Sequence, residues 1–352
     1  MNSDFWRNRK VFITGHTGFK GGWLSLWLVK NGAKVYGYSL PPPTSPNFFL
    51  ATKLEKKLSK SFIGNICNLK NLSSKLKLVK PSIIIHMAAQ SIVRVSYDEP
   101  INTFKTNIIG TANILEAARH NESVEALINV TSDKCYEVVT PNKPFKETDR
   151  LGGFDPYSSS KACSEIVTSA YQKSYLSEIG VASVRAGNVI GGGDWAKNRL
   201  LPDFFRSIYK NRTLLIRSPN FIRPWQHVLE PISGYLILAE KLLTDKKKYG
   251  QPWNFGPSEK NIQTVSQIIK KLKKKIKKSK FKFKDNLKIH ETKLLQLDSS
   301  KSRSTLNWKN YWDVDTALSK TIEWYDAWQK KEDMMKFSLS QISSYENLMK
   351  KK

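Results

Sequence analysis

Cysteine is scarce in this chain. Only three occur, Cys67, Cys135 and Cys163, none in a C-x-x-C pair, which excludes a disulfide framework and a cysteine-built zinc site. Long apolar runs are missing too. No stretch approaches the roughly 18–20 uninterrupted apolar residues of a membrane span, and Met1–Lys10 carries no apolar signal-like region. A cytoplasmic protein without a membrane partner is the expectation. The five histidines, His16, His86, His120, His227 and His290, stand apart from one another, so no metal site is expected. Acidic residues are few, 30 against 58 lysines and arginines, which leaves a net charge of +28. Such an excess raises the question of a polyanionic partner. It is mostly lysine, however, rather than the bidentate arginine that suits phosphate and base recognition. In its one dense run, Lys270 to Lys288, the residues Val265, Ile268, Ile269, Leu272 and Ile276 keep helical spacing. The lysines are therefore expected on the outer face of an amphipathic helix, and no nucleic-acid partner is expected.

What is present is enough apolar content, 40% of 352 residues, for one large α/β domain or two smaller ones. Strand-like runs at Val11–Thr14, Lys34–Tyr38, Ser82–His86, Ala126–Thr131 and Val181–Arg185 alternate with helical segments near Gly21–Asn31, Leu69–Val79, Thr103–Arg119 and Tyr157–Ser177. That alternation predicts a doubly wound parallel sheet, a Rossmann fold, over residues 1–187, with 224–256 returning to it. Beyond Gly187 the pattern loosens, with a helix expected at Leu200–Asn211 and a short strand at Thr213–Arg217. A second, smaller substrate-binding domain is expected from 188–223 and 257–330, followed by a polar, weakly patterned tail, 331–352. Trp6, Trp23, Trp27, Trp308, Trp312, Trp324 and Trp328 are read as packing residues.

Two constellations carry chemistry. Gly15-His16-Thr17-Gly18-Phe19-Lys20-Gly21 lies between the first strand and the first helix. There glycines let the backbone approach a pyrophosphate, held by the helix N-terminus. The acidic residue that usually holds the adenosine ribose is absent from the second strand's end, Gly37-Tyr38-Ser39-Leu40, so the residues themselves leave NAD and NADP both open. Tyr157 and Lys161 are four apart on a helix, a spacing that sets an ammonium beside a phenol and favours tyrosinate as a base. The same spacing occurs on ordinary helix surfaces. Its position, near the carboxyl end of the strand that runs into Thr131-Ser132-Asp133-Lys134, points to a ligand site.

The glycine loop, the Tyr157/Lys161 pair and His86-Met87-Ala88-Ala89-Gln90 resemble the extended short-chain dehydrogenase/reductases, which act on nucleotide-diphosphate sugars. Within them, Thr131-Ser132-Asp133-Lys134-Cys135-Tyr136-Glu137, the run Arg185 to Trp195 and Arg223-Pro224-Trp225-Gln226-His227-Val228 are similar to the 4,6-dehydratases, in particular those that use CDP-glucose. The resemblance spans roughly residues 5 to 330. It implies an NAD-dependent homo-oligomer that oxidises the sugar at C4, eliminates water across C5 and C6 and returns the hydride to C6. Tyr157 with Lys161 would serve as the C4 base, Ser132 as a hydrogen-bond partner of the C4 oxygen and a protonated Asp133 as the acid for the C6 hydroxyl. Lys134 stands where related enzymes carry a glutamate as C5 base; it could act as that base or merely pair with Asp133 or a phosphate. Cofactor contacts implied by position are Gly15, Gly18, Phe19, Lys20, Gly21, Ser39, Ala88, Ala89 and Thr106, together with Tyr157 and Lys161. Asn65-Ile66 stands in place of an Asp-Ile against the adenine. Ser91, Asn107, Asn188, Arg199 and Arg223 are the implied substrate contacts, with Arg199 also readable as a solvated charge at a helix start. A sugar-nucleotide 4-epimerase would share the C4 oxidation without the elimination, and Asp133-Lys134 is what separates the two.

Overall fold

The computed structural model describes residues 2–138, 143–258, 261–284 and 296–351. Lys288 and His290 lie outside the described residues. Seven parallel strands form the central sheet: β1 (Lys10–Thr14), β2 (Lys34–Ser39), β3 (Lys60–Ile63), β4 (Ile83–His86), β5 (Ala126–Val130), β6 (Gly180–Ala186) and β7 (Trp253–Phe255), in the spatial order β7-β6-β5-β4-β1-β2-β3. The order reverses beside β1, which opens a crevice at the carboxyl ends of β1 and β4. Alternate side chains feed two cores. Val11, Ile13, Ile83, Ile85 and Val184 pack on one face, and Phe12, Ile84, Leu127 and Val181 on the other. β3 and β7 escape the sequence reading because they are short, and β3 is half exposed without an alternating pattern.

The expected helices form with shifted ends. The first runs Phe19–Lys30 rather than from Gly21, because Gly18 adopts the extended cap conformation (φ −78°, ψ 168°). The continuous helix expected over Thr103–Arg119 is instead interrupted by a π-helical turn, Lys105–Ile109, which re-aims the side chains that follow it. Helix Val265–Lys275 buries Ile268, Ile269 and Leu272 behind a capping box of Thr264 and Gln267, and its lysines Lys270, Lys273, Lys274 and Lys275 are exposed. Most of the tryptophans named above pack in the core, and Trp6, Trp23, Trp27, Trp308 and Trp324 are fully buried. Beyond residue 296, helix Ser300–Leu306 packs on helix Leu229–Leu242 and β7.

The expectation of a weakly patterned tail is overturned. Residues Met334–Lys350 form a helix capped by Asp333, and its buried face is Met334, Ser338, Gln341, Ile342, Tyr345 and Glu346. Half of that face is polar, which hid the helical period. The polar groups are bonded instead of solvated: Trp27 Nε1 donates to Glu346 Oε1 at 2.7 Å and the Tyr345 hydroxyl donates to Glu230 Oε2 at 2.7 Å. The helix thereby locks onto helix Phe19–Lys30.

At the crevice itself, the Thr14 hydroxyl accepts from the amides of Met87 and Ala88 and shares a hydrogen bond with His86 Nδ1 at 2.7 Å. This stitch joins the ends of β1 and β4. Burial, with the charge of Lys161, holds the His86 pKa at about 3.

Two outcomes are expected. Ile342→Ala should lower unfolding stability by about 2–5 kcal/mol through the cavity it leaves, measured by urea denaturation. An unfolded chain protonates His86 below its ordinary pKa of 6.5 while the folded chain does not, so stability is full above pH 6.5 and falls as pH drops. By pH 5 this single group removes about 2 kcal/mol. His86→Gln should flatten that part of the pH dependence, read from urea midpoints between pH 7.5 and 5.

Candidate active site

The carboxyl ends of the central strands open into a cleft of about 710 Å³. Its first wall is the glycine loop. Gly15 has φ +80°, and a Cβ there would lie 2.8 Å from the Ala88 amide nitrogen. A Cβ on Gly21 would come within 2.1 Å of the Gly15 carbonyl oxygen. Only glycine fits at both, and the helix that follows has no side-chain cap. Its amides therefore face the cleft as a site for an anionic diphosphate. Along this wall Ser39 hydrogen-bonds Thr17 (2.9 Å), and Ile66, Ala88, Ala89 and Thr106 complete an apolar bed.

The second wall carries the reactive groups. Ser132 follows β5 in extended conformation and caps the short turn Asp133–Cys135. Its hydroxyl donates to Asp133 Oδ1 at 3.0 Å. Burial pushes the Asp133 carboxyl above its ordinary value, against the charges of Lys134 and Arg223 and the Ser132 hydrogen bond. A raised pKa suits a carboxylic acid that donates a proton. Gly187 makes room for it, since a Cβ there would lie 3.1 Å from Asp133 Oδ2. Facing this turn, helix Pro156–Ser174 starts at an Asp155 cap and presents Tyr157 and Lys161 in its first turns. Arg223 enters from the far side, its guanidinium over the Phe221 ring at 5.1 Å.

All but one of the residues expected at the site line this cleft, among them Lys134, Ser91, Asn188 and Arg199. Asn107 does not. The π turn buries it, and its amide is spent on the Gln90 carbonyl (3.0 Å) and the Ser160 hydroxyl (2.9 Å) while its oxygen accepts from the Gln90 amide (2.9 Å). It fixes the loop after β4. Asn65 lines the cleft, but its Oδ1 accepts from the Cys67 amide at 2.9 Å and its carbonyl from the Tyr38 hydroxyl at 3.1 Å. The acceptor expected to serve the adenine is already engaged.

The expected tyrosinate is also corrected. Lys161 Nζ turns to the Val130 carbonyl at 3.2 Å, and burial pushes the Tyr157 phenol up to about 12, against a hydrogen bond with Ser132. Burial likewise pulls the Lys161 ammonium down to about 8, and that of Lys20 to about 8 with the help of Arg199 and Lys161. Arg199 is no solvated helix-start charge: it donates to Asp194 Oδ2 at 2.9 Å and to the Ser91 hydroxyl at 3.3 Å, bridging two loops across the cleft. Asp194 was not singled out from sequence, although it sits in the same quoted run as Asn188. Only the fold reveals that it faces Arg199.

Comparison with known proteins agrees with this geometry. The family model described as GDP-mannose 4,6 dehydratase matches residues 12–321. CDP-glucose 4,6-dehydratase of Salmonella typhimurium is 44% identical over 353 residues, covering 98% of each chain. Among solved structures, dTDP-glucose 4,6-dehydratase of Streptomyces venezuelae with NAD bound gives a TM-score of 0.79 at 21% identity, over 93% of this chain and 99% of that one. UDP-glucose 4-epimerase of Thermotoga maritima gives 0.77 at 20% identity, over 90% and 98%. At that identity both structures speak for the fold, and the fold does not separate dehydration from epimerisation. The near-complete match to the family model and the 44% relative do place the sequence: this chain belongs to the GDP-mannose 4,6-dehydratase family.

Proposed function

We propose that this chain dehydrates CDP-glucose to CDP-4-keto-6-deoxyglucose with NAD as a recycled cofactor. The observation that carries the reading is the meeting of Tyr157 and Lys161 with a buried Asp133, its carboxyl pushed up by burial, and with Lys134 in one cleft. An epimerase needs the first pair only. The choice of cytidine rests on the 44% identity to the Salmonella enzyme.

The glycine cradle and uncapped helix fit the diphosphate of NAD. Gly15, Gly18, Phe19, Lys20 and Gly21 would hold that diphosphate, Ser39 the adenosine ribose, Ile66, Ala88, Ala89 and Thr106 the flanking rings, and Lys161 the nicotinamide ribose. When bound, NAD accepts the C4 hydride and later returns it to C6. Tyr157 takes the C4 hydroxyl proton as its phenolate, a form that the charge of Lys161 favours against the burial that disfavours it, with Ser132 hydrogen-bonded to the same oxygen. Lys134 removes the C5 proton, made acidic by the new C4 ketone, and Asp133 protonates the departing C6 hydroxyl as water. Arg223 suits the substrate diphosphate, and Ser91, Asn188 and Arg199 the sugar. The covering role falls to 188–223 and the section Ile262–Lys284.

Two further assignments belong to this reading. The exposed apolar side chains Ile101 (77%), Phe154 (81%) and Ile166 (57%) lie on or beside two packed helices and mark the face for a second copy of the chain. The free thiols Cys67, Cys135 and Cys163 suit the cytoplasm.

Offered CDP-glucose, dTDP-glucose and GDP-mannose in parallel, the protein should form a 4-keto-6-deoxy product from the first, with no net NADH. Steady NADH accumulation at the rate of substrate loss would instead indicate a simple dehydrogenase. Tyr157→Phe should lower turnover by ~10²–10⁴-fold, read by product formation with binding unchanged. Arginine keeps a charge but yields no proton. Lys134→Arg should therefore abolish solvent-deuterium exchange at C5 while bound NADH still appears; retained turnover would make Lys134 a charge partner only.

A further inference from the structure

Behind the reactive turn lies a buried ion pair that none of the proposed chemical steps uses. Glu165 Oε1 accepts from the Thr131 hydroxyl at 2.5 Å and from Arg185 Nε at 2.9 Å. Its Oε2 accepts from the Ser183 hydroxyl at 2.5 Å and from Arg185 Nη2 at 2.8 Å. Arg185 Nη1 in turn donates to the Tyr136 hydroxyl at 2.7 Å, which donates to Asn254 Oδ1 at 2.7 Å. Both charged side chains are almost completely buried, 3% and 2% exposed. Burial alone would raise the Glu165 carboxyl, yet the hydrogen bonds and charge of Arg185 outweigh it and hold the pKa below its ordinary value.

Thr131 and Tyr136 are the residues on either side of Ser132-Asp133-Lys134-Cys135. One end of the reactive turn is thus tied to the carboxylate and the other to the guanidinium of the same pair. Glu165 also follows Tyr157 and Lys161 at successive steps of four on one helix, which places the tether on the face that holds the other half of the site. We infer that Glu165 and Arg185 are positioning residues for the elimination half of the reaction: together they clamp the Ser132–Lys134 turn at both ends and so set where Asp133 and Lys134 stand. This rests on the dehydratase reading. Tyr157 and Lys161 have separate supports, the Ser96 hydroxyl accepting from the Tyr157 amide at 3.1 Å and the Asp155 cap of their helix. Thr131 adjoins Ser132, whereas Tyr136 closes the far end of the turn beyond Asp133 and Lys134, so loosening the Tyr136 tether acts on elimination before oxidation.

Removing either charge would strand the other in the core, so the test uses Thr131→Val and Tyr136→Phe. Each deletes one tether and keeps the ion pair. Two rates are followed in single-turnover experiments with CDP-glucose: formation of bound NADH, and solvent-deuterium exchange at C5. With the turn displaced by about 1 Å, C5 exchange should fall by roughly 10²-fold in both variants, while NADH formation stays within about threefold of wild type in Tyr136→Phe and falls less than C5 exchange in Thr131→Val, which borders Ser132. A merely structural role lowers both rates in proportion to the folded fraction, and that result, or no change in either, overturns the inference. Hydrogen exchange of the substrate-free protein gives a second reading. Amides of residues 132–136 should exchange at least tenfold faster in both variants, with β5 unchanged; equal protection overturns the clamp even if CDP-glucose is not the substrate. Wild-type protein that leaves CDP-glucose untouched, with faster exchange in the variants, would sink the dehydratase reading and keep the clamp.

Discussion

The closeness with which the turn after β1 approaches its neighbours is the constraint on which the rest of the cleft depends. Gly15 packs backbone to backbone against Met87 and Ala88, and Gly21 sits on the Gly15 carbonyl. A single methyl at either place would push the first helix away from the sheet, and with it the amides that face the cleft. Thr14 reinforces the approach by bonding both the loop after β4 and His86. The two halves of the crevice are thus tied together through one short stretch of backbone.

Around that frame the protein buries polar groups to an unusual depth. Burial alone is unfavourable for each of them, and the outcome depends on what it meets. Glu165 meets Arg185 and two hydroxyls and stays ionised. Asp133 meets weaker partners and is pushed towards its protonated form. Glu230, beneath the C-terminal helices, is raised to about 7 by burial against the amides of Trp312 and Tyr311 and the Tyr345 hydroxyl. Three deeply buried carboxyls are therefore shifted in different directions, Glu165 held down by the charge of Arg185 while Glu230 meets only neutral donors.

Much of this was legible in the sequence because it depends on local pattern. The Rossmann alternation, the glycine loop and the Tyr157/Lys161 spacing are periodic or contiguous signals, and they fall where expected. What could not be read there depends on distance in space. Asn107 looked like a ligand contact until the π turn rotated it inward, and Arg199, readable as a substrate contact or as a solvated charge, is shown facing Asp194 only by the fold. The shift at Tyr157 runs opposite to expectation because desolvation exceeds the help of Ser132 and Arg199, while the Lys161 ammonium turns to Val130. The helix Met334–Lys350 stayed hidden for a related reason: hydrophobic periodicity registers apolar faces, and half of its buried face is hydrogen-bonded polar groups.

That same helix has a bearing on how the chain reaches its fold. Its Glu346 bonds the indole of Trp27 across 319 residues of sequence, so the helix whose first turn faces the cleft is packed by a segment made long after it. Contacts of such separation are entropically late. During synthesis the helix Phe19–Lys30 therefore waits with part of its flank uncovered until Met334–Lys350 has been made.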